Sequence, residues 1–216
     1  TSETHPDSTK WYAGANLIVN WAASDEEVDG YSYILNTEPV TNPDEISEGA
    51  KTSLAYRNLA DGQHYFHIKA LRNGSWGGVT HFAALVDNTP PAQFEIEVVP
   101  GARTTRRQPV IQFSSTDASS GIDHYELKTI ALTPHVVEAA SDDTYQSLFV
   151  EAQSPYLLPT LSRGQYDVIM RAYDRAGNYQ EVIRGLAIVN ALFKPISDEG
   201  LEIGGVVTLP WLWVWL

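Results

Sequence analysis

The chain has 216 residues, 43% of them apolar and none of them cysteine, and its 27 acidic against 14 basic side chains leave a net charge of −13. That length suits one large domain or two small ones, and the missing cysteine excludes thiol catalysis, zinc–thiolate and iron–sulfur sites and disulfide scaffolds together. Residues 1–90 hold 12 acids and 5 bases and the remainder 15 and 9, so no basic block exists to grip nucleic acid or an anionic membrane surface.

In chain order, Thr1 stands where a methionine would and no signal peptide follows, as at a processed or cloned start. Trp11 and Tyr12 sit at a strand end, followed by the short apolar runs LIVNW (17–21) and YSYIL (31–35) and the loop NPDEISEG (42–49). Residues 59–72, LADGQHYFHIKALR, alternate: His64, Phe66, Ile68 and Ala70 share one face. Period 2 over that length predicts a half-buried strand. Lys69 lies on the opposite, solvated face; Tyr65 and His67 beside it point to a partial cover there. Asn73-Gly74-Ser75 is a formal glycosylation site and also a turn signal, and the turn accounts for it. In VDNTPP (86–91), two prolines after a polar turn end one strand and stiffen the entry to the next. This places a boundary at Asn88 to Pro91.

Beyond the boundary the pattern returns. LSRGQYDVIMRAYD (161–174) matches 59–72 at an offset of 102, with Gly62 over Gly164, Gln63 over Gln165 and Lys69 over Arg171. VIQF (110–113) and DHYEL (123–127) match LIVNW and YSYIL at an offset of 92, which puts Trp21 over Phe113 and Tyr33 over Tyr125. The second copy therefore carries about ten extra residues, most simply within 130–153. No long 3.6-period segment with caps occurs, and the best candidate, 130–150, is broken by Pro134. The expectation is an all-β fold of two tandem antiparallel β-sandwiches plus an apolar C-terminal segment. The modules are placed at 5–89 and 90–190, with a juxtamembrane linker and tail at 191–216.

The pattern Leu-x-x-Gly-x-Tyr-x-x-x-x-x-Ala followed by Tyr-Asp-Arg-Ala-Gly-Asn (161–178), with Asp-Asn-Thr-Pro-Pro between the copies, resembles the fibronectin type III and bacterial Ig-like modules of prokaryotic cell-surface proteins. The first copy is similar in THPD and KWY (4–12), NPDEISEG and LADGQHYFHIKA. The resemblance spans residues 5–190 and implies spacer, adhesion or envelope roles outside the cell. It also implies that Tyr166 is the corner tyrosine that pins the backbone through its hydroxyl, at a position where the first copy has His64.

The end of the chain is different. FKPISDEGLE (193–202) is polar, and IGGVVTLPWLWVWL (203–216) carries no charge. A bilayer span needs about 20 such residues. Residues 203–216 read as the outer half of a membrane helix cut short at Leu216, with Trp211, Trp213 and Trp215 near an interface. The competing readings are a strand that packs on the protein or is donated to a partner, and an unstructured end.

Catalytic signals are absent from the sequence: there is no Gly-x-Ser-x-Gly and no phosphate loop. His64 and His67 are three apart on a strand, point to opposite faces and make poor co-ligands, and His135 stands apart. The carboxylates Asp25/Glu26/Glu27 and Asp142/Asp143 have no obvious cleft to face across. The expectation is a non-enzymatic chain with no cofactor other than calcium. Its candidate oxygen ligands are Asp87 and Asn88 at the boundary with Asp117 or Asp174 from an adjacent loop, the motif there being loosely similar to cadherin-type calcium linkers. The same residues serve as turn formers that bond their own backbone. Trp11, Tyr12 and Trp76 are candidates for a surface that binds a protein or a glycan, or for ordinary packing. The overall reading is a surface-anchored spacer or display stalk, outside the cell and held to a membrane through 203–216. A glycan- or protein-binding adhesin and an assembly subunit are the alternatives.

Overall fold

Alternation of apolar and polar side chains sets the longest strands. In Gly164–Asp174 the residues Tyr166, Val168, Met170, Ala172 and Asp174 are buried, while their neighbours are more open. The computed structural model describes residues 1–22, 27–132, 148–191, 193–196, 200–203 and 207–214. Asp25, Glu26, His135, Asp142, Asp143 and Trp215 lie outside the described residues.

The strands of the first repeat are β1 (Trp11–Tyr12), β2 (Leu17–Asn20), β3 (Gly30–Asn36), β4 (Ser53–Tyr56), β5 (Gly62–Arg72), β6 (Ser75–Trp76) and β7 (Thr80–Val86). Those of the second are β8 (Glu97–Val99), β9 (Arg103–Thr104), β10 (Val110–Gln112), β11 (Ile122–Ala131), β12 (Val150–Glu151), β13 (Tyr156–Leu157), β14 (Gly164–Asp174) and β15 (Tyr179–Ile188). After them come β16 (Phe193–Ile196), β17 (Gly200–Ile203), β18 (Val207–Leu209) and one helical turn, α1 (Trp211–Val214). The chain divides into two compact units. The first holds Thr1–Ala92, Ser115–His124 and Ala172–Gln180; the second holds Gln93–Ser114, Tyr125–Arg171 and Glu181–Leu216.

In the first unit one sheet runs β1-β7-β5-β3, with β6 on β5, and β2-β4 forms the other. Leu17 and Val19 from β2 meet Phe66 from β5 and Ala84 from β7, and Trp21, Tyr33, Leu54 and Tyr56 close around them. Two sheets that bury their apolar faces against each other make a sandwich. A fully buried side chain such as Phe66, 2% exposed, contributes about 1.5–3 kcal/mol. The turn from β5 to β6 has two residues, Asn73 and Gly74, both at positive φ (48° and 75°), with Arg72 paired to Ser75. This is the primed turn whose twist matches the strands it joins.

The second repeat builds the same plan from β13-β10-β8 and β12-β11-β14-β15-β9. The offsets hold strand by strand. β5 and β14 coincide end to end at 102. β1 pairs parallel to β7 through Tyr12↔Val86, and β9 pairs parallel to β15 through Thr104↔Ile188. The ring pair Trp21–Tyr33 (5.6 Å) returns as Phe113–Tyr125 (4.9 Å).

Two expectations need correction. Lys69 is not solvated: it is 4% exposed, its Nζ donates to Asn42 Oδ1 at 3.0 Å and it lies 5.2 Å from the Trp76 ring centre. Residues 193–209 are more than a polar linker entering an apolar tail. Phe193 pairs with Ile203 and Leu201 with Leu209, giving the antiparallel meander β16-β17-β18. No helix among the described residues is long and apolar enough to cross a membrane.

Candidate metal centre

Three aspartates of the first unit converge. Asp87 follows β7 directly. Its N–H donates to Tyr12 O (3.1 Å), and its carboxylate accepts Thr89 N–H on Oδ1 (3.2 Å) and Ser120 N–H on Oδ2 (3.0 Å). Asp117 opens the turn before β11, where its Oδ1 accepts the N–H groups of Ser119 (3.1 Å) and Gly121 (2.8 Å). That is the local bonding for which aspartate is used at turns. Asp174 ends β14 and caps its own hairpin: Oδ1 accepts Ala176 N–H and Asn178 N–H, both at 2.9 Å, and Oδ2 accepts Asn178 Nδ2–H at 2.8 Å. Asn178 Nδ2 also donates to the Asp87 carbonyl at 2.9 Å. The sharp hairpin uses Gly177 at φ 90°, where a side chain would be strained.

One carboxylate oxygen from each of Asp87, Asp117 and Asp174 lies within 4.8 Å of the others. Asp87 and Asp174 are 0% and 2% exposed. Among the described residues none of the three forms an ion pair with Lys, Arg or His. Buried like charges at this distance are costly without a cation. Ser120, whose N–H bonds Asp87 Oδ2, is 3% exposed, and its Oγ has no hydrogen-bond partner among the described residues. Calcium–oxygen distances of ~2.3–2.6 Å put ligands on opposite sides of the ion just under 5 Å apart. The cluster can therefore chelate a divalent cation.

Asn88 bonds Asp61. Its N–H and Nδ2–H both donate to Asp61 Oδ1 (2.8 and 3.1 Å), and Thr89 Oγ1 donates to Asp61 Oδ2. These bonds, Thr89 first, hold the Asp61 carboxyl below its ordinary value. Sequence reasoning missed Asn178 and Asp61 as partners. The four-residue spacing from Asp174 to Asn178 was the one signal that could have revealed a partner.

Trp11, Tyr12 and Trp76 do not form one platform. Trp11 pairs with Leu85, which pairs with Gln63 near the start of β5, whereas Trp76 pairs with Leu71 near its end. Eight residues of strand separate those points, roughly 26 Å. Tyr12 is committed to packing: its hydroxyl accepts Asp7 N–H (3.1 Å) and its ring meets His5 edge-on at 5.0 Å. Burial is the main cause holding His5 below its usual value. His64 and His67 do face opposite ways, His64 toward Ala60 O (2.7 Å) and His67 toward His81.

The sequence holds no catalytic or cofactor-binding motif typical of enzymes. No family model matches the chain, and neither does any curated protein. Among solved structures it is similar to the chicken CNTN1 FN1-FN3 domains, with 13% identity, a TM-score of 0.34 and coverage of 82% of this chain and 65% of that one. It is also similar to a two fibronectin type III domain segment of chicken tenascin, with 14% identity, a TM-score of 0.34 and coverage of 82% and 94%. The chain thus spans about two thirds of the CNTN1 fragment. Its own strand order and registers make it an all-β protein of two sandwich-like units.

Proposed function

We propose that the chain is a non-catalytic structural or display module of a cell surface, in which Asp87, Asp117 and Asp174 hold calcium. The observation that carries this is the pair of buried carboxylates, Asp87 and Asp174, close to a third and lacking any cationic partner among the described residues. The ion ties the end of β7 to the turn before β11 and the hairpin after β14, which stiffens the first unit. Sites of this modest ligand charge work at the ~10⁻⁴–10⁻³ M calcium found outside cells, which supports an extracellular location. In that case 5 mM calcium stabilises the folded chain by about 1–2 kcal/mol. Calorimetric titration and thermal unfolding of the full chain test this. One ion per chain and a melting point several degrees higher in calcium than in EDTA are expected, with both lost in Asp117→Asn. No binding heat and no shift at 5 mM would overturn the reading.

A second reading concerns partners. Val207 and Leu212 are 53% and 71% exposed, and apolar side chains so placed favour contact with a protein neighbour or a membrane surface. Deleting 207–216 should abolish any concentration-dependent association in sedimentation, and association that survives the deletion removes this role.

A further inference from the structure

We propose that His67 and His81 form an acid-sensitive clasp that holds residues 37–49 over the outer face of β5. The two are directly paired across β5 and β7. Their Nδ1 atoms meet at 2.5 Å, with the rings edge to face at 4.8 Å. His67 is 0% exposed while His81 is exposed. On its other side His67 Nε2 lies 3.0 Å from the Glu38 carbonyl oxygen and 3.2 Å from Asn36 Oδ1. A carbonyl oxygen only accepts, so Nε2 carries hydrogen. The Nδ1 of neutral His67 is then a bare acceptor, and His81 Nδ1–H must donate to it.

This arrangement limits how many protons the pair can hold. One extra proton is accommodated, because His81 can switch tautomer and accept from His67. A second puts N–H on both Nδ1 atoms, facing each other at hydrogen-bond distance. His67 would then be a covered imidazolium whose Nδ1–H has no acceptor, a state relieved only by admitting water. The cover that must give way is the 37–49 segment. It is fastened by Ser32 Oγ to Asp44 (3.1 Å), by Tyr33 N–H to Glu48 Oε2 (2.9 Å) and by Glu48 N–H to Tyr31 O (2.8 Å).

The titratable groups beside His67 are Tyr65, stacked on it, and Lys69 on β5 and His81 on β7, while the covering segment meets it through the Glu38 carbonyl and carries the carboxylates of Glu38, Asp44, Glu45 and Glu48. Lys69 adds a second cation under the same cover. β3 contributes Ser32, Ile34 and Asn36, none of which ionises. Burial and, after the opposing bond to Glu38, the charge of His81 hold His67 below its usual 6.5. A base with a depressed folded value stabilises the closed state fully above pH ~6.5 and loses that stabilisation as pH falls below it. Opening would uncover Lys69 beside Trp76, so this face of the sheet becomes accessible in acid.

Hydrogen exchange of the full chain, followed by NMR and corrected for intrinsic rates, tests the clasp. Between pH 7.5 and 5.5 the protection of the Tyr33 and Glu48 amides should fall severalfold, with about tenfold the limit for one excluded proton, while Val168 and Met170 in β14 stay unchanged. His81→Gln alters an exposed position, and its amide oxygen can turn toward a protonated His67. Its protection should fall distinctly less than the wild type's, because the burial of His67 remains but the second facing N–H is gone. Carboxylate protonation on Asp44 or Glu48 would act alike in both proteins. Constant protection in the wild type, or an equal fall in His81→Gln, overturns the proposal.

Discussion

At the corner before the longest strand of each repeat the side chains differ and the bond does not. Tyr166 Oη donates to Ser162 O at 2.8 Å, and His64 Nε2 reaches Ala60 O at 2.7 Å. Each spans four residues, and the two carbonyls are equivalent at the offset of 102. What the corner requires is a ring that carries a donor on its far side, and both phenol and imidazole meet that need. The settings differ more than the geometry. Tyr166 is 1% exposed and stands among Val168, Met170 and Leu161 of the core, whereas His64 is half-buried and Ala60 is exposed.

Removing the donor from each corner would break the equivalence. Tyr166→Phe leaves the Ser162 carbonyl short of a partner beside a sealed core and should cost about 1–3 kcal/mol. His64→Phe should cost only about 0.5–1 kcal/mol, because water can reach the freed carbonyl of Ala60. Native-state hydrogen exchange of β14 amides for the first variant and β5 amides for the second reads each corner in its own unit. Equal costs would show that burial does not distinguish the two corners.

The corner and the strands it starts were legible because they rest on local patterns. Period 2 fixed β5 and β14, and the offset of 92 placed β2 against β10 and Tyr33 against Tyr125. Three of the aspartates were legible as oxygen donors, since turns at Asp87, Asp117 and Asp174 attract that residue type. What lay beyond the pattern was contact with irregular chain. Nothing in the spacing of Asn88 shows that Asp61, 27 residues earlier, takes its side chain. Lys69 read as solvated, and the partial cover that Tyr65 and His67 pointed to could not be placed, because residues 37–49 have no period. The strands β16 to β18 are each three or four residues long, too short for alternation to register, and one contains Pro195.

The outer faces of the two repeats offer the finer comparison. Lys69 and Arg171 occupy equivalent positions and each lies over an aromatic ring supplied by a different part of the chain. For Lys69 the ring is Trp76 at 5.2 Å, under the 37–49 cover; for Arg171 it is Phe149 at 4.0 Å, from the stretch that lengthens the second repeat. Arg171 also bonds Glu181 Oε2 through Nε at 2.8 Å, in a pair open to solvent. A desolvated cation gains more from a ring face than a hydrated one. Trp76→Leu should therefore cost about 1 kcal/mol and Phe149→Leu about 0.5 kcal/mol, despite the closer contact in the second. Exchange of the Ala70 and Ala172 amides, next to each cation, would measure the two. A larger loss at Phe149 would mean that distance outweighs desolvation here. The ring would then be the main cover of its sheet face, doing for the second repeat what residues 37–49 do for the first.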